Sequence, residues 1–151
     1  MIKVFNSTFE NSLRMILLLS EFNSSELLDR LYTTDFLTVY GRDFGLAPIN
    51  LNGDNDFKYS EFQSRKVVCK NALRELVLNG LVIPIKDQTG IRYQINDEGK
   101  EYADSLHSEY AMAYRENAEA AIKYVEKYSD RQIISMINRM STDSVRGGGH
   151  E

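Results

Sequence analysis

The chain has 151 residues, 42% apolar and 26% charged, with 18 basic against 22 acidic side chains and a net charge of −4. That length and balance suit one globular unit with a real core, and exclude a disordered chain, a collagen and a disulfide scaffold. A negative surface excludes tight, purely electrostatic nucleic-acid binding over the whole molecule and leaves that role to a local basic patch. The single cysteine, Cys69, allows no internal disulfide and fits a reducing compartment. The longest apolar run, residues 15–19, is far short of the roughly 20 residues a membrane helix needs. Glu10 and Arg14 interrupt any signal-peptide core. The expected location is cytoplasmic, with no membrane contact.

Ser7-Thr8-Phe9-Glu10 is a capping-box pattern that opens a helix over residues 9–22, with Phe9, Leu13, Ile16 and Leu17 at helical spacing. Ser24-Ser25 offers the cap of a second helix over 26–40, whose apolar stripe is Leu27, Leu28, Leu31 and Phe36. Residues 41–59 lack periodicity and hold Gly41, Gly45, Pro48 and Gly53, a long connection for a small domain and so a candidate interaction surface. Ser60-Glu61-Phe62-Gln63 repeats the capping box, and the helix it opens stops at Asn79-Gly80.

Residues 81–85 and 91–95 read as two strands around the turn Asp87-Gln88-Thr89-Gly90. Pro84 cannot donate to a ladder, which puts the first strand at an edge. Asn96 caps the next helix, with Asp97 and Glu98 favourably placed in its first turn. The stretch 98–140 is helical in character and divides at a third capping box, Ser129-Asp130-Arg131-Gln132, into helices over 98–128 and 130–140. The first of these spans roughly 45 Å at 1.5 Å per residue, more than a domain of this size covers.

Three helices, a hairpin and a helix follow the order of a winged helix-turn-helix. The expected fold is therefore mainly α with a small β-hairpin: a winged helix domain over residues 5–100 and a long C-terminal helical extension over 98–140. Residues 141–151, with Gly147-Gly148-Gly149, read as a flexible tail.

Chemistry for catalysis is sparse, and the chain is expected not to be an enzyme and to need no cofactor. Cys69 shares a helix face with Ala72, Leu73 and Leu76, which makes it an inert core thiol, and His107 is the one histidine before the tail. No cysteine or histidine cluster suits zinc. The acidic run Asn52-Gly53-Asp54-Asn55-Asp56 fails as an EF-hand, since Phe57 and Gln63 stand where that loop needs Gly and Glu. No glycine-rich phosphate loop occurs.

Interaction surface is better supplied. Residues 58–100 hold eight basic against five acidic residues, while the rest of the chain holds ten against seventeen. Lys66, Lys70 and Arg74 recur at four-residue steps on one helix stripe, and Arg65, Lys86 and Arg92 complete a basic set for DNA or an acidic partner. Val67, Val77 and Leu78 add outward apolar groups that suit a protein, with Arg42 and Asp43 as a further docking pair. Leu106, Tyr110, Tyr114, Tyr124 and Tyr128 form a stripe on the long helix for self-association or a partner helix.

Several phrases together resemble the middle components of bacterial ABC-type three-component conflict systems. They are Phe5-Asn6-Ser7-Thr8-Phe9-Glu10, Leu28-Asp29-Arg30-Leu31, Asp35-Phe36-Leu37-Thr38-Val39-Tyr40-Gly41-Arg42-Asp43-Phe44 and Leu51-Asn52-Gly53-Asp54-Asn55, completed by the wing and its exit. The resemblance implies an operon pairing a variable effector, often a nuclease, with an ATPase related to SMC and RecN proteins, in a layout similar to Lamassu defence. It implies a non-catalytic adaptor that joins ATPase to effector against phage or plasmids. The rival expectation is a dimeric winged-helix transcription regulator that binds DNA by itself.

Overall fold

The computed structural model describes residues 7–53 and 58–148. Phe5 and Asn6 of the first phrase, Asp54, Asn55 and Asp56 of the acidic run, and tail residues 149–151 lie outside the described residues. In chain order the elements are α1 (Thr8–Phe22), β1 (Glu26–Leu27), α2 (Leu28–Val39), a 3-10 turn (Gly41–Phe44) and α3 (Lys58–Leu78). They continue with β2 (Val82–Asp87), β3 (Gly90–Ile95), α4 (Asp97–Asp104), α5 (Glu109–Val125) and α6 (Asp130–Gly148). The result is mainly helical with one small antiparallel sheet.

Local chemistry explains most boundaries. Ser7 Oγ accepts from the Glu10 N–H at 3.0 Å, and Asn96 Oδ1 from the Gly99 N–H at 2.7 Å, so both expected caps are made. The Ser129 box closes reciprocally: Gln132 N–H donates to Ser129 Oγ (3.1 Å) and Ser129 N–H to Gln132 Oε1 (2.8 Å). The hairpin pairs Val82 with Ile95 through to Asp87 with Gly90, and the order β1-β3-β2 leaves Pro84 on an edge strand as expected. Gly99 sits where a Cβ would lie 2.3 Å from the Leu81 carbonyl oxygen and 2.6 Å from Ile95 Cγ1, so only glycine lets α4 start against the sheet.

Four expectations are corrected. The second helix starts at Leu28, because Glu26 and Leu27 pair with Tyr93 and Arg92 and make the sheet three-stranded. The third helix starts at Lys58, so Ser60 lies inside it and caps nothing. The helix expected over 98–128 is two helices: Ser105 Oγ bonds back to the Tyr102 carbonyl at 2.6 Å, and Ser108 Oγ caps α5 through the Ala111 N–H at 3.0 Å. The last helix continues to Gly148 rather than yielding to a tail at residue 141. With the break at 105–108, α5 folds back onto α1 and α2, and α6 packs on α2 and α3. Ala118, Ala121, Ile122 and Val125 are buried in the same core as Leu17 and Leu73, so the C-terminal helices complete that core.

At its centre lies an ion cluster. Asp35 of α2 accepts from Arg14 Nε (3.0 Å) and Nη2 (2.6 Å), from Arg65 Nη2 (2.7 Å) and from the Tyr114 hydroxyl (2.7 Å). Arg14, Asp35, Arg65 and Tyr114 are all buried. Burial alone pushes the Asp35 carboxyl up, but the two guanidiniums and the hydrogen bonds from Arg14 and Tyr114 override it and hold the group below the usual carboxylate range. Beside it Phe36 is the hub of an aromatic cluster, 4.8 Å from Phe62 and 5.0 Å from Tyr40 between ring centres.

Asp35→Asn strands two buried guanidiniums without their anion and is expected to cost about 3–5 kcal/mol in urea unfolding. Because the folded carboxyl lies below its unfolded value of about 4, its stabilisation is full above that pH and is lost as pH falls from there through the lower folded value. The acid limb of stability against pH is therefore shallower in Asp35→Asn. Gly99→Ala is expected to cost about 1–3 kcal/mol by overpacking, with the same unfolding measurement as readout.

Candidate interaction face

Helix α3 carries two opposed faces. Phe62, Arg65, Cys69, Ala72, Leu73 and Leu76 point into the core. Val67, Asn71, Arg74 and Leu78, at steps of three and four residues, point outward with Lys70 beside them. Val67 is 63% and Leu78 70% exposed, and both lie on this outer stripe. The helix ends in a Schellman turn: the Gly80 N–H donates to the Val77 carbonyl (3.1 Å), the Leu81 N–H to that of Leu76 (3.0 Å), and Gly80 takes φ 75°. That turn leads the chain directly into β2, whose Ile83 and Ile85 are also exposed.

The expected basic set is divided between the outer face and internal contacts. Lys70 and Arg74 stand exposed on the outer stripe, and Lys86 is exposed on β2. Lys66 lies on the flank of α3 and pairs with Asp29 at 3.1 Å. Arg92 is turned inward toward the β1 end, donating to Ser25 Oγ (3.2 Å) and the Ser25 carbonyl (2.9 Å), so its guanidinium holds the sheet edge to the chain before α2. Arg65 was expected on this face and belongs to the buried Asp35 cluster instead, since it sits directly in line with Cys69 and Leu76 on the core side. Val77 is half-buried against the core. Asn71, Ile83 and Ile85 share the exposed surface and were missed; the three- and four-residue steps from Val67 mark Asn71, and alternation along β2 marks the isoleucines.

The other docking residues are also redistributed. Asp43 pairs with Lys58 at 2.5 Å and accepts from Asn50 Nδ2 at 3.2 Å, which ties the 41–53 loop to the start of α3, while Arg42 remains exposed. The expected long-helix stripe is largely internal: Tyr114 is fully buried on Asp35, Tyr110 donates to Asn52 Oδ1 (3.0 Å), and Leu106 is half-buried against the core. Leu106 and Tyr110 also line a small groove against α1, and Tyr124 and Tyr128 line another where α5 turns into α6.

Chemistry elsewhere is muted. Burial pushes the Cys69 thiol up to about 12, against the lowering influence of Arg65 3.4 Å away. Among the described residues no group of three or more His, Cys, Asp or Glu side chains suits a metal, and no helix is long and apolar enough to cross a membrane.

These features describe a mainly helical chain with a small antiparallel sheet and an exposed helix face that mixes aliphatic and basic side chains. The chain belongs to the ABC-three component (ABC-3C) system Middle Component 2 family, whose model matches residues 4–147. It is thus a component of a multi-protein system. No curated protein and no solved structure matches it.

The thiol gives a direct check of this geometry. Cys69 is expected to resist a neutral-pH disulfide reagent in the native protein and to react fully in denaturant, at a rate set by unfolding.

Proposed function

We propose that this chain is a non-catalytic adaptor of a cytoplasmic anti-phage or anti-plasmid defence complex, linking an SMC- or RecN-like ABC ATPase to an effector such as a nuclease. The observation that carries this reading is the family match over residues 4–147. In support, the largest exposed aliphatic groups of α3 lie among its basic ones, a mixture that suits a protein partner better than a bare phosphate backbone.

Residues 5–100 are read as a winged helix-turn-helix in this proposal. Its supports are the order α1-β1-α2-α3-β2-β3 and the sheet order β1-β3-β2, with α3 in the position of the recognition helix and the β2–β3 hairpin as the wing. Lys70, Arg74 and Lys86 then supply phosphate contacts within the complex, while Val67 and Leu78 seat the protein partner. Arg65 and Arg92 take no part, being committed to Asp35 and Ser25.

The test is affinity capture of the full chain from its native cells after nuclease treatment, with a Lys70→Glu, Arg74→Glu variant alongside. The expected result is recovery of a coiled-coil ATPase and a second effector protein. Both substituted positions are exposed, so the variant keeps its stability within about 0.5 kcal/mol. It loses partner recovery or DNA affinity about ten-fold. Recovery of the chain alone, with specific DNA binding tighter than about 10 nM, would replace the adaptor with a transcription regulator.

A further inference from the structure

The groove at the α5–α6 elbow measures about 540 Å³. Tyr124, Tyr128, Ile133 and Met136 make its apolar floor, and Arg131 and Arg139 stand on the α6 rim. Its shape is set from behind. Arg30 of α2 donates to the carbonyls of Val125 (2.5 Å) and Tyr128 (2.8 Å) and pairs with Asp130 (2.7 Å), locking the elbow. Within the groove the Tyr124 hydroxyl donates to Met136 Sδ at 3.1 Å, and the Tyr124 and Tyr128 rings pack 5.2 Å apart. Arg131 and Arg139 are exposed, and neither has an ion-pair partner among the described residues.

The complement of this groove lies on the same chain. Glu109, Met112 and Glu116 of α5 follow one another at three and four residues on a single exposed stripe, and Met112 is 58% exposed. Neither glutamate has an ion-pair partner among the described residues. At 1.5 Å per residue the two glutamates are about 10 Å apart along the helix axis, and the two arginines about 12 Å. A methionine between two carboxylates thus matches an apolar floor beside two guanidiniums, in charge and in spacing. Met112 is also the adaptable kind of side chain that fills an irregular groove.

We propose that a second copy of this chain docks its α5 stripe into the groove, with Met112 against Tyr124, Tyr128 and Met136, and Glu109 and Glu116 on Arg131 and Arg139. This is helix-in-groove recognition between two different patches, so the contact is heterologous. Nucleic acid fits the groove less well: the tyrosine rings are packed on each other rather than open for stacking, and Glu126 stands exposed on the same elbow. The association is independent of the adaptor reading, because it concerns the purified chain alone.

The test is sedimentation of the full chain up to about 100 µM, a range that reveals the weak affinity of a small interface. Two charge reversals accompany it: Arg131→Glu with Arg139→Glu, and Glu109→Arg with Glu116→Arg. Wild type is expected to gain mass with concentration, and each variant to associate at least about ten-fold more weakly while keeping its circular dichroism. Mixing the two variants is expected to restore association, because the reversed charges again attract; a merely misfolded variant gives no rescue. A monomeric wild type, association indifferent to reversal, or a mixture no better than its parts would overturn the proposal. So would binding of an oligothymidylate probe, by a monomeric wild type, that only the arginine reversal abolishes.

Discussion

One carboxylate organises this molecule. Asp35 is fully buried and answers Arg14 from α1, Arg65 from α3 and Tyr114 from α5, so four helices meet on two oxygen atoms. An ionised group in a core is tolerated only while its partners hold their geometry, which makes the cluster a demanding test of helix register. Rotating α3 by one residue would remove the Arg65 contact and expose Cys69. The orientation that satisfies Asp35 is also the one that turns Val67, Lys70, Arg74 and Leu78 away from the core. The exposed face is thus a consequence of the buried charge.

Arg30 does for the C-terminal helices what Asp35 does for the rest. It reaches from α2 to the carbonyl of Val125, the last residue of α5, to that of Tyr128 in the connection, and to Asp130, the first residue of α6. The Val125 carbonyl, which also accepts from the Tyr128 N–H at 3.1 Å, lies at the C-terminal end of α5, where a cation complements the negative end of the helix dipole. Arg115 acts similarly nearer the other end of α5, pairing with Glu21 and Asp104 and so joining α1, α4 and α5. These clamps explain why helices that read as an extension fold back to finish the core.

The surfaces left over are separate. One is the α3 face with the adjoining hairpin, where aliphatic and basic groups mix; the other is the α5–α6 groove with the acidic stripe on α5. A family member of a multi-protein system has use for more than one contact surface. Two faces of different chemistry allow contacts with different partners at once, because neither needs the other's residues. The buried thiol adds nothing to either surface, and in the loop over residues 41–53 Asp43 and Asn50 are committed internally while Arg42 stays exposed.

Sequence alone determined what depends on near neighbours. Ser7, Asn96 and Ser129 announce their helices because a cap acts within three residues, and the hairpin shows because alternation and its turn are local. The resemblance carried by phrases from Phe5 to the wing exit also led to the right family. Only the tertiary structure decided where long-range pairing overrides local preference. Glu26 and Leu27 have helical neighbours yet become a strand, because β3 lies beside them. Arg65 reads as one more cation in a basic run, and its burial is visible only once Asp35, thirty residues away, faces it. Tyr114 likewise reads as part of a spare stripe until the break at 105–108 folds its helix inward. A cap is written in a few adjacent residues, whereas the partner of a buried charge is chosen by the packing of the whole chain.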